Sequence, residues 1–373
     1  MDMASLLWVL PILFIIAGIL VTVKLTQNGG KGLLSGIVML SVMIVLTATV
    51  LVPAIETTDE PHVKAPSWQY DDYYTIEGLD SASGSLEVVT LGSDEYLHVA
   101  SIGEGTYTVG DNTYTVTTKK AQLDVFLIGG QSNAQYNING TTELGDTDPV
   151  ALPGTAYYYG LSSHPISMGN TTQAAAYDSS LYDIYMSVDS DGDNLLGNIE
   201  GPFSARYYSG TGHKVLTINT GVGGSSISAW VDGGTCYTYS KAAFADAMSK
   251  IDTDLFEVSV KSFFWIQGEA DKYMAVNTYV SDFMDLYEDL TTNVFNSDYK
   301  LTYALISLTK DGKNAATAQY KLADKKGIYM ASTAAESFSI SDGTLRNDGL
   351  HYTQKGDNIL ARDFANLSIN LWR

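Results

Sequence analysis

Three apolar runs in this chain stop abruptly on glycines and small polar residues, and that repetition limits the possible folds more than any other feature. Val125-Phe-Leu-Ile-Gly-Gly-Gln-Ser-Asn133 is the first; residues 214–220 run into Gly221-Val-Gly-Gly-Ser-Ser-Ile-Ser-Ala-Trp230; residues 258–266 run into Gln267-Gly-Glu-Ala-Asp271. Short apolar runs bounded by glycine read as strands covered on both faces. Further strands are predicted over residues 301–308 and 327–331, and helices over 202–209, 240–250, 274–296, 315–325 and 355–371. Such alternation predicts an α/β domain over residues 121–373, a parallel sheet with helices on both faces. Ligands of an open parallel sheet bind outside the carboxyl ends of its strands. The polar corners therefore converge on one crevice, and the loop Asn347-Asp-Gly-Leu-His351 before the last helix can lie over the same edge.

The chain ahead of this domain reads differently. Residues 5–23 and 33–52 carry no charge, and each is long enough to cross the roughly 30 Å apolar layer of a bilayer as a helix. Lys24 and Lys31 lie between them, with Asp2 on one outer flank and Glu56, Asp59 and Glu60 on the other. The positive-inside rule then predicts a transmembrane hairpin over residues 1–55, its loop cytoplasmic and the rest of the chain extracellular. Residues 56–72, with two prolines and several acids, read as a stalk. Residues 73–120 hold short runs rich in Val, Thr and Tyr, with Gly110-Asp-Asn112 as the turn of a hairpin. About 50 residues bury little apolar surface, so this β-module must lean on a neighbour.

The formal net charge is -21, and only Asp2, Lys24 and Lys31 fall within the first 55 residues. So acidic a surface repels nucleic acid. The single cysteine, Cys236, excludes an intrachain disulfide and a cysteine-based metal cluster.

Four blocks now stand in order: Gly130-Gln-Ser-Asn133, Gly223 to Trp230, Trp265 to Asp271, and Asp348-Gly-Leu-His351. In these blocks the chain resembles the SGNH hydrolases, in particular their sialate O-acetylesterase-like branch of carbohydrate esterases. The resemblance implies a flavodoxin-like three-layer fold, a serine esterase that removes acetyl groups from sugars, and an acetylated glycan as substrate. The hairpin, stalk and β-module lie outside it.

An alcohol is a poor nucleophile at neutral pH, so Ser132 needs a base. Of the five histidines, His62 falls in the stalk, His98 in the β-module, His164 in a tyrosine-rich loop and His213 at the amino end of a strand. His351 is the one placed to serve, with Asp348 three residues earlier to orient its ring. The backbone N–H groups of Ser132 and Gly224 and the side chain of Gln267 are expected to hold the oxyanion; Gln267 stands where many SGNH enzymes have asparagine. Gln131, Asn133, Glu269 and Asp271 are expected to brace the loops or to meet the substrate, and Trp230 and Trp265 to stack on a sugar or close the core. No cofactor is required by this chemistry. Asp189, Asp191, Asp193 and Glu200 match positions 1, 3, 5 and 12 of a calcium loop, without an amphipathic helix entering it. A competing reading is a surface or virion-envelope protein that uses the SGNH scaffold for structure or glycan binding; the anchor and the 25 tyrosines suit it, and a homo-oligomer is compatible with either reading.

Overall fold

The structure, a computed structural model, describes residues 67–135, 152–160, 183–186, 199–295, 303–310 and 313–372. The expected hairpin and most of the stalk lie outside these residues, as do His62 and His164. Among the described residues no helix is long and apolar enough to cross a membrane.

Thirteen strands and five helices are described, in the order β1 (Tyr73–Tyr74), β2 (Leu79–Gly84), β3 (Leu86–Leu91), β4 (Asp94–Val99), β5 (Gly103–Val109), β6 (Asn112–Thr118), β7 (Ala121–Gly130), β8 (Ala156–Gly160), β9 (Asp183–Met186), α1 (Glu200–Thr211), β10 (Lys214–Asn219), α2 (Thr235–Ser249), β11 (Phe256–Ile266), α3 (Val276–Asp289), β12 (Tyr303–Ser307), α4 (Lys313–Ala323), β13 (Ile328–Ser332) and α5 (Gln354–Leu371). The main sheet runs β13-β12-β11-β7-β10-β8-β9, parallel throughout except for β9 at its edge. Neither β8 nor β9 is among the expected strands.

Strand β7 lies in the middle because both its faces are apolar. Leu123, Val125 and Leu127 pack with Phe244, Trp265, Phe283 and Leu286 on one side. Phe126 and Ile128 pack with Phe203, Tyr207, Leu360 and Phe364 on the other. The period of two within one strand thus feeds two separate cores, with α2, α3 and α4 on one face and α1 and α5 on the other. After β7 the chain crosses toward β8, whereas after β11 it moves outward to β12. Adjacent parallel strands that depart in opposite directions leave a crevice at their carboxyl ends.

The β-module consists of two three-stranded sheets, β1-β4-β3 and β2-β5-β6, around a small core of Leu86, Leu97 and Val99. Its β5–β6 hairpin turns at Gly110, which adopts φ +57°, and Tyr107 stacks on its cross-strand partner Tyr114. The expected stalk ends earlier than residue 72: Trp68–Arg373 forms one compact unit. Gln69 Oε1 accepts from Gln122 N at 2.9 Å. Lys214, fully buried, donates to Asp72 Oδ1 at 2.9 Å, to Asp71 O at 3.0 Å and to Gly154 O at 2.5 Å. A buried ammonium needs such a complete shell, and here the shell fastens the β-module to the main sheet.

Candidate active site

The turn that carries Ser132 requires its glycines. At Gly130, with φ +136°, an added Cβ would meet Ile266 O at 2.1 Å; at Gly129 it would meet the Phe263 ring at 2.7 Å. Gln131 N donates to Ile266 O at 3.0 Å, and the amides of Ala134 and Gln135 close back on Gln131 O at 2.8 and 2.9 Å. The chain thereby folds over the end of β11 and presents Ser132 at the lip of the crevice.

Ser132 Oγ lies 2.9 Å from His351 Nε2, and His351 Nδ1 lies 2.7 Å from Asp348 Oδ2. The other carboxylate oxygen of Asp348 accepts from the backbone N–H groups of Leu350 and His351 at 2.9 and 3.0 Å. Slight burial pushes the Asp348 carboxyl up, but these hydrogen bonds and the imidazole outweigh it and bring the pKa down to about 2. The loop is closed on itself: Leu345 bridges to Tyr352, Arg346 N donates to His351 O at 2.8 Å, and Gly349 turns with φ +70°.

Asn133 clasps this loop on both sides of His351. Its Nδ2 donates to Leu350 O at 3.3 Å and to Glu269 Oε1 at 2.9 Å, and its Oδ1 accepts from Tyr352 N at 3.1 Å. Burial raises the Glu269 carboxyl above the ordinary carboxylate range despite the bond from Asn133. Gln131 Oε1 accepts from the amides of Gly268 and Ala270 at 3.4 and 3.0 Å. Asp271 takes bonds from Ser226 Oγ at 2.6 Å, Ile227 N at 2.7 Å and Gln267 Nε2 at 2.6 Å. These four side chains tie the corners after β7, β10 and β11 to one another and to the His351 loop.

Two expected placements change. Gln267 is buried, and its Nε2 donates to both Asp271 Oδ2 and Ser225 O, the latter at 3.0 Å, while its Oε1 accepts from Tyr279 OH at 2.8 Å. With both amide hydrogens engaged, Gln267 is a brace rather than a donor to an oxyanion. Trp230 is fully buried, packs edge-on to Trp265 at 5.3 Å, and donates to Ser225 Oγ at 2.9 Å. It closes the core and offers no face to a sugar. By contrast, the N–H groups of Ser132 and Gly224 have no acceptor among the described residues. The glycine corner stands against the serine, since a Cβ on Gly223 would lie 3.8 Å from Ser132 Cβ.

Gln135, Tyr279 and Gln319 complete the framework and were not singled out in the sequence. Gln135 Oε1 accepts from Gly223 N at 3.0 Å, and Gln319 joins Gln267 O at 2.5 Å to Thr309 N at 3.0 Å. Only Gln135, three residues after Ser132, carries a local signal. His213 pairs with Asp124 and His98 with Asp71 and Glu87, all away from the crevice. Of the expected calcium ligands, Glu200 alone is described; its carboxylate accepts from Asn219 Nδ2 at 3.0 Å. Among the described residues no group of three or more His, Cys, Asp or Glu side chains is arranged to hold a metal ion.

No curated protein matches the chain. Similar solved structures include a protein from Arabidopsis thaliana, with 14% identity, a TM-score of 0.46, and coverage of 67% of this chain and 99% of that one. A carbohydrate acetylesterase from Xanthomonas citri has 14% identity, a TM-score of 0.41, and coverage of 81% and 72%. Another, from Sinorhizobium meliloti, has 13% identity, a TM-score of 0.37, and coverage of 67% and 100%. Superpositions this loose carry no argument about activity. The sequence profile described as carbohydrate esterase, sialic acid-specific acetylesterase, matches residues 122–370, which include every corner of the crevice. By that match over most of its length, the chain belongs to the sialic acid-specific acetylesterase family of carbohydrate esterases.

Proposed function

We propose that Ser132, His351 and Asp348 act as the nucleophile, base and orienting acid of a carbohydrate O-acetylesterase. The observation that carries the reading is the unbroken hydrogen-bonded line from Ser132 Oγ through the imidazole to Asp348. Asp348 holds the proton on Nδ1, leaving Nε2 to accept the serine proton as Oγ attacks the acetyl carbonyl. The negative charge that develops on the carbonyl oxygen faces the N–H groups of Ser132 and Gly224, donors fixed before the reaction begins. Collapse breaks the acyl C–O bond, and Nε2–H returns its proton to the departing sugar hydroxyl. Water then enters, loses a proton to Nε2 and releases acetate from Ser132 by the same steps in reverse. Every proton moves through His351, so the chemistry is complete with the chain's own residues.

Residues 5–52 anchor the chain in a lipid bilayer in this reading, with the esterase on the extracellular side, supported by the two uncharged runs and the lysines between them. The test of activity compares the full chain with Ser132→Ala and His351→Ala on an aryl acetate and on acetylated sugars. Each substitution lowers kcat by about 10³-fold or more; equal turnover in all three proteins refutes the assignment. Protease accessibility of the C-terminal domain in intact cells tests its sidedness.

A further inference from the structure

The corner after β10 lies against the Ser132 turn, and Gln135 makes the contact. A Cβ on Gly221 would meet Gln135 N at 2.7 Å and Gln135 Cα at 2.9 Å, so the two backbones touch there. Asn219 secures that approach: its Nδ2 donates to Ala134 O at 2.9 Å, and its Oδ1 accepts from Gly221 N at 3.0 Å. From this base the side chain of Gln135 reaches two residues further along the corner, where its Oε1 accepts from Gly223 N at 3.0 Å. The next residue, Gly224, carries one of the two N–H groups that face the oxyanion.

A single turn sets the direction of that N–H. Ser225 N donates to Val222 O at 3.1 Å, and Gly224 has φ +71° whereas Gly223 is not left-handed. These are the marks of a type II turn, whose middle peptide, here Gly223–Gly224, presents its N–H on the side where a type I turn presents its carbonyl. Glycine on both sides of that peptide leaves either orientation sterically open. The Val222–Gly223 peptide is the base of the turn: its carbonyl accepts from Ser225, and its N–H is the group that Gln135 holds. Val222 N is in turn fixed to Gly130 O at 2.9 Å. Tied on both sides of Val222, the base keeps the turn above it seated beside Ser132. Without the Gln135 bond it is tied on one side only, and the turn pivots.

We propose that Gln135 is a positioning residue of the esterase, which holds the Gly223 N–H and thereby aims the Gly224 N–H at the oxyanion. The assignment rests on the esterase reading and adds the residue that assembles its oxyanion hole. Gln135 touches no substrate in this role; it acts through the turn. The donor gains in value as charge develops on the carbonyl oxygen, so its loss falls on kcat and spares KM.

The test measures aryl acetate turnover, inhibition by methylboronic acid and thermal melting for the full chain and its variants. Ser132 Oγ adds to the boron and passes its proton to His351 Nε2, and the tetrahedral boronate anion then sets an oxygen where the oxyanion forms. Gln135→Met, similar in length but without the acceptor, lowers kcat by about 10²-fold with KM within about twofold, and weakens the boronate in parallel. Gly224→Ala drives the turn away from φ +71° and removes the same donor, so Gln135→Met/Gly224→Ala is no slower than the slower single variant. Parental kcat in Gln135→Met, a loss carried by KM, or single effects that multiply in the double overturns the proposal. Should Gln135→Met fail to fold, Gly223→Ala replaces it: the added methyl meets Gln135 Oε1 at 2.8 Å and displaces it, while Ser132 Cβ stays at an ordinary contact distance of 3.8 Å. The same loss of kcat is then expected, and parental kcat overturns the proposal. A parent that leaves the aryl acetate intact refutes the esterase reading and this role with it.

Discussion

Replacing Asn133 by aspartate sets a second carboxylate against Glu269, 2.9 Å from its Oε1, in a corner where both residues are buried. At an effective dielectric of about 20, two charges so close repel by about 6 kcal/mol, so one of them takes up a proton instead. Holding that proton costs about 1.4 kcal/mol for each pH unit above the carboxyl's pKa. Burial already holds Glu269 high, so the cost is small at pH 5 and reaches a few kcal/mol at pH 8. Asn133→Asp is therefore expected to melt close to the parent at pH 5 and about 5–10 °C below it at pH 8, given about 2–4 °C per kcal/mol in a domain of this size. Leu350 O also loses its donor, so the His351 loop loosens and kcat falls by about 10²-fold, the scale set by an ångström of misplacement. Adding Glu269→Gln restores a donor facing an acceptor and recovers most of the stability at pH 8. The assays are thermal melts and aryl acetate turnover for the two single variants and the double. A single variant that melts alike at both pH values, or a double no better than the single, refutes the claim that this contact sets the His351 loop.

Trp230→Ala should destabilise the protein by about 3–5 kcal/mol, as expected for an aromatic side chain removed from a packed core; a loss below about 1 kcal/mol in denaturant would show the ring is not core. For His98, burial lowers the pKa, but bonds to Asp71 and Glu87 and their charges win and raise it above 6.5. A raised histidine pKa gives stability that is complete below the unfolded value of about 6.5 and is lost as pH rises through the folded value. The stability gap between the protein and His98→Gln should therefore shrink from pH 5.5 to pH 8.5, and a gap that widens would contradict the geometry. If Asp189, Asp191, Asp193 and Glu200 hold calcium, a chelator lowers Tm and added calcium restores it; an unmoved Tm removes the site.

The residues that define each corner of the crevice are consecutive in the chain, and so they could be read directly. A glycine pair after an apolar run forces a turn wherever it sits, and Asp348 orients His351 from three residues away. Gln267 could not be read this way. Its role is fixed by Tyr279, 12 residues distant, which with Asp271 and Ser225 engages the whole side-chain amide, while Gln319, 52 residues distant, holds its backbone carbonyl. Strand β2, Leu79–Gly84, carries no strand signal of its own, because LDSASG lacks the β-branched residues that mark a strand, and pairing with β5 holds it extended. Strand β8, with its run of tyrosines, resembled a loop until β10 paired with it in register.

The sequence by itself determined the parallel α/β sheet, its carboxyl-edge corners and the serine, histidine and aspartate, because periodicity and glycine act within a few residues. Tertiary structure alone decided which polar side chains face the crevice and which brace it, and that the compact unit begins at Trp68, with the β-module bound to the sheet through Lys214. Burial and hydrogen-bond partners across the chain are properties of the packed whole, and no local pattern encodes them.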